Sequence, residues 1–184
     1  LELAEEHGLS GVTVEAISDR AGVAPRTFWA YFSSKEDAVL GRDPERAQAL
    51  RQALLDRPSY ESPLEALQRV LADDVASRMC DLDLALRKGH LLKKEPHLLA
   101  AWAAAFQELE QALVEATAQR MRTDPGADMY PGVVVSAACA AVKVAQRRWA
   151  DLEGTCDIDE LVSKAFAQLA CGLGAPNRTG EANS

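Results

Sequence analysis

"AGVAPRTFWAYFSSKEDAVL", residues 21–40, decides how this chain is read. Gly22 supplies the left-handed turn that a Cβ would oppose. Pro25 then pre-sets the first turn of a new helix and pushes Ala24 toward the extended backbone of an N-cap, although Ala24 has no capping oxygen. Phe28 and Phe32, four apart, take one face of that helix and are expected to pack inward on Ile17, Val23 and the first helix. Arg26, Thr27, Trp29 and Ala30 are left mostly on the outer side. Such a density of aromatic and polar side chains on the outside of a short helix needs a physical purpose.

Upstream, Leu1, Leu3 and Ala4 share a helical face that ends at Gly8 as a C-cap, and "LSGVT" follows as a loop. Thr13 is the N-cap of a helix over 14–20, with Val12 and Ile17 in staple positions, while Ala16 denies it a full capping box. Two short helices joined by a Gly-containing turn make a helix-turn-helix, and the second can enter a major groove wide enough to admit it. Many short helix pairs serve only packing, so spacing alone leaves DNA reading and simple packing both open.

Downstream, Ser33 with Glu36 fits a capping box for a helix to Leu40. "GRDP", residues 41–44, bends the chain, and Pro44 restarts a helix to about Asp56. After the loop "RPSYESP", the trio Ser62, Pro63 and Glu65 opens a helix to Met79. Further helices are expected near 82–94 and 97–122, divided by Pro96, then over 132–152 after the loop "TDPGADMYPG". Asp157 with Glu160 caps a last helix to Cys171, and 173–184 reads as a flexible tail.

The composition agrees with an all-α protein. The chain has 184 residues, 48% of them apolar and only 5% aromatic, with abundant Ala and Leu. The start "LELAEEHG" carries acids where a signal peptide carries basic residues, and no run of eighteen apolar residues exists, so the expected location is the cytoplasm, with no membrane partner. Leu1 reads as the middle of a helix, which suggests that a segment with a basic arm precedes it. Cys80, Cys139, Cys156 and Cys171 lie far apart without a Cys-x-x-Cys pair and are read as buried thiols. His7, His90 and His97 lack metal-ligand spacing. No metal or other cofactor is expected, and no phosphate loop, metalloprotease pair or nucleophile elbow supports an enzyme. The net charge is −8, and neither part of the chain is basic: residues 1–41 hold three Lys or Arg against seven acids, the remainder seventeen against twenty-one.

The run "GVTVEAISDRAGVAPRTFWAYFSSKEDAVL" resembles the N-terminal pattern of the TetR family of bacterial transcriptional repressors, through Thr13, Ile17, Ala21, Gly22, Val23, Thr27, Phe28, Tyr31, Phe32 and Lys35. The resemblance implies a DNA-binding domain over 1–41 with a three-helix, helix-turn-helix architecture, and a larger helical domain over 42–172 for ligand binding and dimerisation. It implies that Pro25 to Tyr31 enters the major groove of double-stranded operator DNA. Arg26 is then the candidate base reader, since guanidinium pairs bidentately with guanine. Thr27 touches a base or a phosphate. Trp29, where the family more often has Tyr, donates its indole N–H to a phosphate, and Tyr31, Lys35 and Thr13 clamp phosphates.

In the larger domain, "VVVSAACAAVKVA" and "LVSKAFAQLA" are more apolar than one monomer easily hides. The family resemblance implies a homodimer there, and the candidate interface is Val134, Ala138, Ala141, Val142, Ala145, Leu161, Val162, Ala165 and Leu169; burial within one monomer is the alternative. The middle helices offer Leu86, Leu91, Trp102 and Phe106 as an apolar effector wall with Arg87 and His90 as polar contacts, although Trp102 and Phe106, four apart, also fit a core. "LRKGHLLKKEPHLLAAW", residues 86–102, resembles an actinobacterial branch of the family that includes mycofactocin-system regulators, which implies an acyl-coenzyme A effector. Lys93, Lys94 and Glu95 read as a solvated helix end. The expected function is a repressor released from a palindromic operator by a small apolar or amphipathic molecule. A DNA-binding regulator without an effector is the alternative, and a small helical enzyme built on His90 is the remote rival.

Overall fold

Caps, prolines and left-handed glycines set the helix boundaries in the computed structural model, which describes residues 1–79 and 81–172. Cys80 and the expected tail, 173–184, lie outside the described residues. The order is α1 (Glu2–Gly11), α2 (Val14–Ala21), α3 (Pro25–Tyr31), α4 (Lys35–Leu40), α5 (Arg46–Leu55), α6 (Pro63–Arg78), α7 (Leu82–Lys94), α8 (Pro96–Met121), α9 (Tyr130–Asp151) and α10 (Ile158–Ala170). The all-α expectation is met: the described residues contain no strand. None of these helices is long and apolar enough to cross a membrane.

Several boundaries follow from single side chains. The Thr13 hydroxyl accepts from the Ala16 N–H at 3.1 Å and starts α2. Gly22, at φ 67°, ends it, with the Val23 N–H donating to the Ser18 carbonyl at 3.0 Å. The Ser62 capping box of α6 is complete, its N–H donating to Glu65 and its hydroxyl accepting from the Glu65 N–H. Asp81 caps α7 through the Leu84 N–H.

Some expected boundaries move. The first helix does not stop at Gly8: Gly8 takes φ 68° and kinks the chain, and helical turns resume to Gly11. The cap of α4 is Ser34, whose hydroxyl accepts from the Asp37 N–H at 3.0 Å, while the Ser33 hydroxyl donates to the Asp37 carboxylate. Pro44 lies in a turn ahead of α5, where the Asp43 carboxylate accepts from the Glu45 N–H. Asp157 accepts from the Asp159 N–H, without a capping role for Glu160.

Packing divides the interior into two clusters. The larger is built from α5, α6, α8, α9 and α10, around Leu67, Val75, Leu113, Val135 and Phe166. The smaller joins Ala4, Leu9 and Val12 with Val39 and Leu40 of α4, Leu91 of α7 and Leu98 of α8. Trp102, half-buried on α8, packs against both. The N-terminal helices therefore do not close a core by themselves, and α7 and α8 supply part of it. Arg120, near the other end of α8, donates to the carbonyls of Leu54, Arg57 and Pro58 at 2.6–3.0 Å and so caps the end of α5.

Charged groups fasten the same junction. The Glu95 carboxylate accepts from the Leu9 N–H at 3.0 Å, just after the Gly8 kink. Glu95 is thus no part of a solvated helix end, and Lys93 pairs with Asp151 at 2.8 Å. The Lys35 ammonium donates to the carbonyls of Leu9 at 2.8 Å and Val12 at 3.1 Å. Arg42 bridges Asp37 of α4 and Glu108 of α8. Arg87 meets Glu5 through both its Nε, at 2.9 Å, and its Nη2, and its hydrogen bonds hold the Glu5 carboxyl below its usual range. Because partly buried backbone groups lose solvation when their partner is removed, Lys35→Ala and Glu95→Ala should each cost about 1–3 kcal/mol. Arg26→Ala, on an exposed face, should stay within about 0.5 kcal/mol of the parent. Urea denaturation checks all three, and an unchanged midpoint for Lys35→Ala would return that ammonium to solvent.

Candidate functional site

Only one residue of α3 is buried. Phe28, 4% exposed, faces inward, with the Phe32 ring at 5.4 Å and Phe32 itself half-buried. Pro25, Arg26, Thr27, Trp29, Ala30 and Tyr31 are all exposed, Trp29 at 56% and Tyr31 at 72%. Trp29 is steadied by an edge-to-face contact with Phe28, 5.2 Å between centroids and 89° between planes. Arg26 has no ion-pair partner among the described residues. The helix-turn-helix therefore presents a helix seven residues long whose outer face carries one unpaired guanidinium, one hydroxyl and two large amphipathic rings. Such a face satisfies nothing inside the protein, and it matches the donor and apolar inventory that meets DNA.

The other expected contact residues divide. Thr13 is exposed at the start of α2, its oxygen occupied by the Ala16 N–H and its hydroxyl proton left for another acceptor. Lys35 is half-buried, and its ammonium is spent on the carbonyls that end α1. Arg20, beside the same motif, is paired with Glu2.

The expected effector wall is redistributed. A cavity of about 30 Å³ lies between α5, α6, α8 and α9, lined by Trp102 and Phe106 together with Arg46, Leu71, Asp74, Arg78, Leu109, Cys139, Val142 and Gln146. Leu86, Arg87, His90 and Leu91 do not line it. Leu91 is buried in the smaller cluster, Arg87 is tied to Glu5, Leu86 is half-buried and His90 is exposed. Phe106 belongs to the larger core and also faces the cavity, so the two readings of the Trp102 and Phe106 pair both hold. The ring of Phe106 carries the Lys143 ammonium 3.8 Å from its centroid. Arg46 holds Asp74 by two bonds, at 3.0 and 2.6 Å. Burial pushes the Cys139 thiol up to about 12, so it forms part of the wall as a neutral group. Among the described cysteines, Cys139 alone fits the buried-thiol expectation, since Cys156 is half-buried and Cys171 exposed. A sequence signal for the polar lining did exist: Asp74 and Arg78 fall three and seven residues after Leu71, on the stripe that faces the core.

The residues of the expected dimer stripe lie in or against the chain's own core. Val134, Ala138, Ala141, Val142, Ala145 and Val162 are buried within the chain's own core, and Leu161, Ala165 and Leu169 are half-buried against it. The apolar side of α9 that remains open is Val133, Ala137, Ala140 and Val144, with Val133 63% and Val144 62% exposed.

Comparison with known proteins places the chain in a family. Residues 1–40 match the profile of bacterial regulatory proteins of the tetR family, and residues 61–174 match that of the MftR C-terminal domain. The HTH-type transcriptional regulator TcmR of Streptomyces glaucescens is 32% identical over 155 residues, which cover 81% of this chain and 69% of TcmR. Among solved structures, Thermus thermophilus FadR, a TetR family transcriptional repressor in complex with lauroyl-CoA, superposes with a TM-score of 0.59 at 21% identity, over 99% of this chain and 95% of FadR. A TetR/AcrR family regulator from Thermobifida fusca aligns at 23% identity with a TM-score of 0.47, over 95% of this chain and 93% of its own. With both ends of the fold matched in this way, the chain belongs to the TetR family and is a DNA-binding transcriptional regulator.

Proposed function

We propose that the chain is a homodimeric repressor that reads a palindromic operator with α3 and is released from it by a small apolar or amphipathic effector. The observation that carries the DNA-reading part is the near-complete exposure of α3 outside Phe28. Arg26 reads a guanine, Thr27 touches a base or a phosphate, and Trp29, Tyr31 and the Thr13 hydroxyl position the motif on phosphates. Pro25 sets the helix start that aims them. Lys35 acts through the fold by pinning α1 to α4, and not as a phosphate clamp.

The open stripe Val133, Ala137, Ala140 and Val144 supports pairing with a second copy of the chain through α9, with the half-buried Leu161, Ala165 and Leu169 of α10 at its margin. A two-fold axis along these helices sets two α3 helices against successive major grooves.

The cavity holds about one water as it stands, and a regulator whose middle helices simply pack would show the same volume. Its polar lining favours an effector, because packing alone does not call for two guanidiniums beside Trp102 and Phe106. An effector must then enlarge the cavity, which makes it bind one state better than another, as release from DNA requires. FadR, bound to lauroyl-CoA, shows an amphipathic molecule in a protein of this fold. Movement at Trp102 reaches α4 through Glu108, Arg42 and Asp37, and reaches α1 through Glu95.

Four outcomes test these roles. Arg26→Ala should cost about 1–3 kcal/mol on the operator and relax preference at one base position; equal losses on operator and random duplexes would remove its reading role. Val144→Glu should separate the dimer in sedimentation and weaken operator binding with the reading helix intact; an unaltered dimer would place the interface elsewhere. Lauroyl-CoA titrated with and without operator DNA should show a reciprocal coupling of about 1–3 kcal/mol. Arg42→Ala should shrink that coupling by about 0.5–2 kcal/mol. Identical affinities in both titrations, with binding demonstrated, would end induction by that compound.

A further inference from the structure

The side chains of α3 stand at different angles around its axis, and the angle decides how far each can reach into a groove. With the buried Phe28 marking the inward direction and about 100° per residue, Pro25 and Tyr31 lie about 60° from it and Thr27 and Trp29 about 100°. Arg26 and Ala30 lie about 160° from it, one turn apart, and together form the crest of the exposed face. Trp29 flanks that crest on one side and Thr27 on the other. Arg26 brings a guanidinium to the crest. Ala30 brings a single methyl group, exposed and without a hydrogen-bonding atom.

That chemistry narrows what Ala30 can meet. A base edge that presents only donors or acceptors to it loses water without gaining a partner, which is costly. The thymine methyl is the apolar group that the standard bases offer in the major groove, and an alanine methyl set against it takes both out of water. A long side chain at this position would hold the helix backbone away from the bases; alanine lets α3 seat closely, with Trp29 and Thr27 reaching out along its flanks. Four residues of helix advance about 6 Å, close to two base-pair steps of about 3.4 Å.

We propose that Ala30 is a second specificity residue of α3, reading the 5-methyl group of a thymine about two base pairs from the guanine read by Arg26. This rests on the reading of α3 given above and adds to it a base, a spacing and the group on that base that is recognised. Each half-site then carries a guanine and a thymine at fixed separation, the first chosen by hydrogen bonds and the second by apolar contact.

The test uses the full chain, an operator selected from a pool of random duplexes, and deoxyuridine, which lacks only the methyl of thymidine. Each thymine of the operator is replaced in turn, and binding is followed by fluorescence anisotropy. One thymine per half-site, within about one to three base pairs of the guanine whose preference Arg26→Ala relaxes, should lose about fourfold in affinity on replacement, the worth of one buried methyl. In Ala30→Gly the two duplexes should bind alike, whatever uniform loss glycine brings through the helix. Ala30→Ser, which keeps the helix better and sets a hydroxyl beside the methyl, should also shrink the ratio. The parent protein alone decides the deoxyuridine step, so the result does not hang on a variant that folds. An operator with no thymine in that range, a parent indifferent to deoxyuridine there, or a penalty that survives in Ala30→Gly overturns the role of Ala30; a guanine preference still relaxed by Arg26→Ala then leaves the reading of α3 standing. If Arg26→Ala and Ala30→Gly both keep every base preference of the parent, α3 is not the reading helix and both fall. Selection that yields no operator has the same result.

Discussion

Leu9 is the residue on which the two ends of this fold are fastened. Its side chain is buried where α1, α4, α7 and α8 meet, its N–H is claimed by Glu95 and its carbonyl by Lys35. A charged group from each of two distant segments thus satisfies one short break in a helix, created by the left-handed Gly8. Losing the Glu95 bond removes a partner of the Leu9 N–H, whereas the Leu9 carbonyl also accepts from the Val12 N–H at 3.3 Å and keeps that bond without Lys35. The orientation of the reading helix is set through this point, because α1 and α4 carry the helix-turn-helix between them.

From this follows the division of labour among cations. A short helix-turn-helix in an acidic chain has few positive charges to place, and the structure uses most of them internally: Lys35 on carbonyls, Arg20 on Glu2, Arg87 on Glu5, Arg42 between α4 and α8. Arg26 is what remains free on α3. In the proposed reading of α3, DNA affinity rests on one guanidinium, hydroxyls and aromatic N–H or O–H donors, an arrangement that leans on geometry more than on bulk charge and that a net charge of −8 does not oppose.

Local chemistry was legible in the sequence, and long-range pairing was not. Thr13, Gly22, Pro25, Ser62 and Pro63 announce their turns through bonds that span five residues or fewer, and the structure places them in those roles. Apolar periodicity located the helices, but it blurs which of two adjacent small residues faces inward. In "VVVSAACAAVKVA" nearly every phase is apolar, so the stripe at Val134 and Ala138 could not be told from the one at Val133 and Ala137 without the neighbours that cover the first. Glu95 looked like a solvated charge and Arg87 like a ligand contact, because their partners, Leu9 and Glu5, lie more than eighty residues away. The polar cavity lining has the same origin: Arg46 and Asp74 meet only when α5 packs on α6.

The length of α8 has a mechanical consequence. Its 26 residues make a rod of roughly 39 Å, clamped at one end where Arg120 grips three carbonyls at the end of α5, and touching Leu9 at the other through Glu95. Trp102 lies far from the Arg120 clamp and near the Glu95 end. On a rod of this length a tilt of about 5° about Arg120 would sweep the Glu95 end through about 3 Å and hardly move the clamped end. Such a gain would turn a side-chain-sized adjustment beside the cavity into a displacement comparable to a hydrogen-bond length at Leu9, where α1 is tied to both α4 and α8.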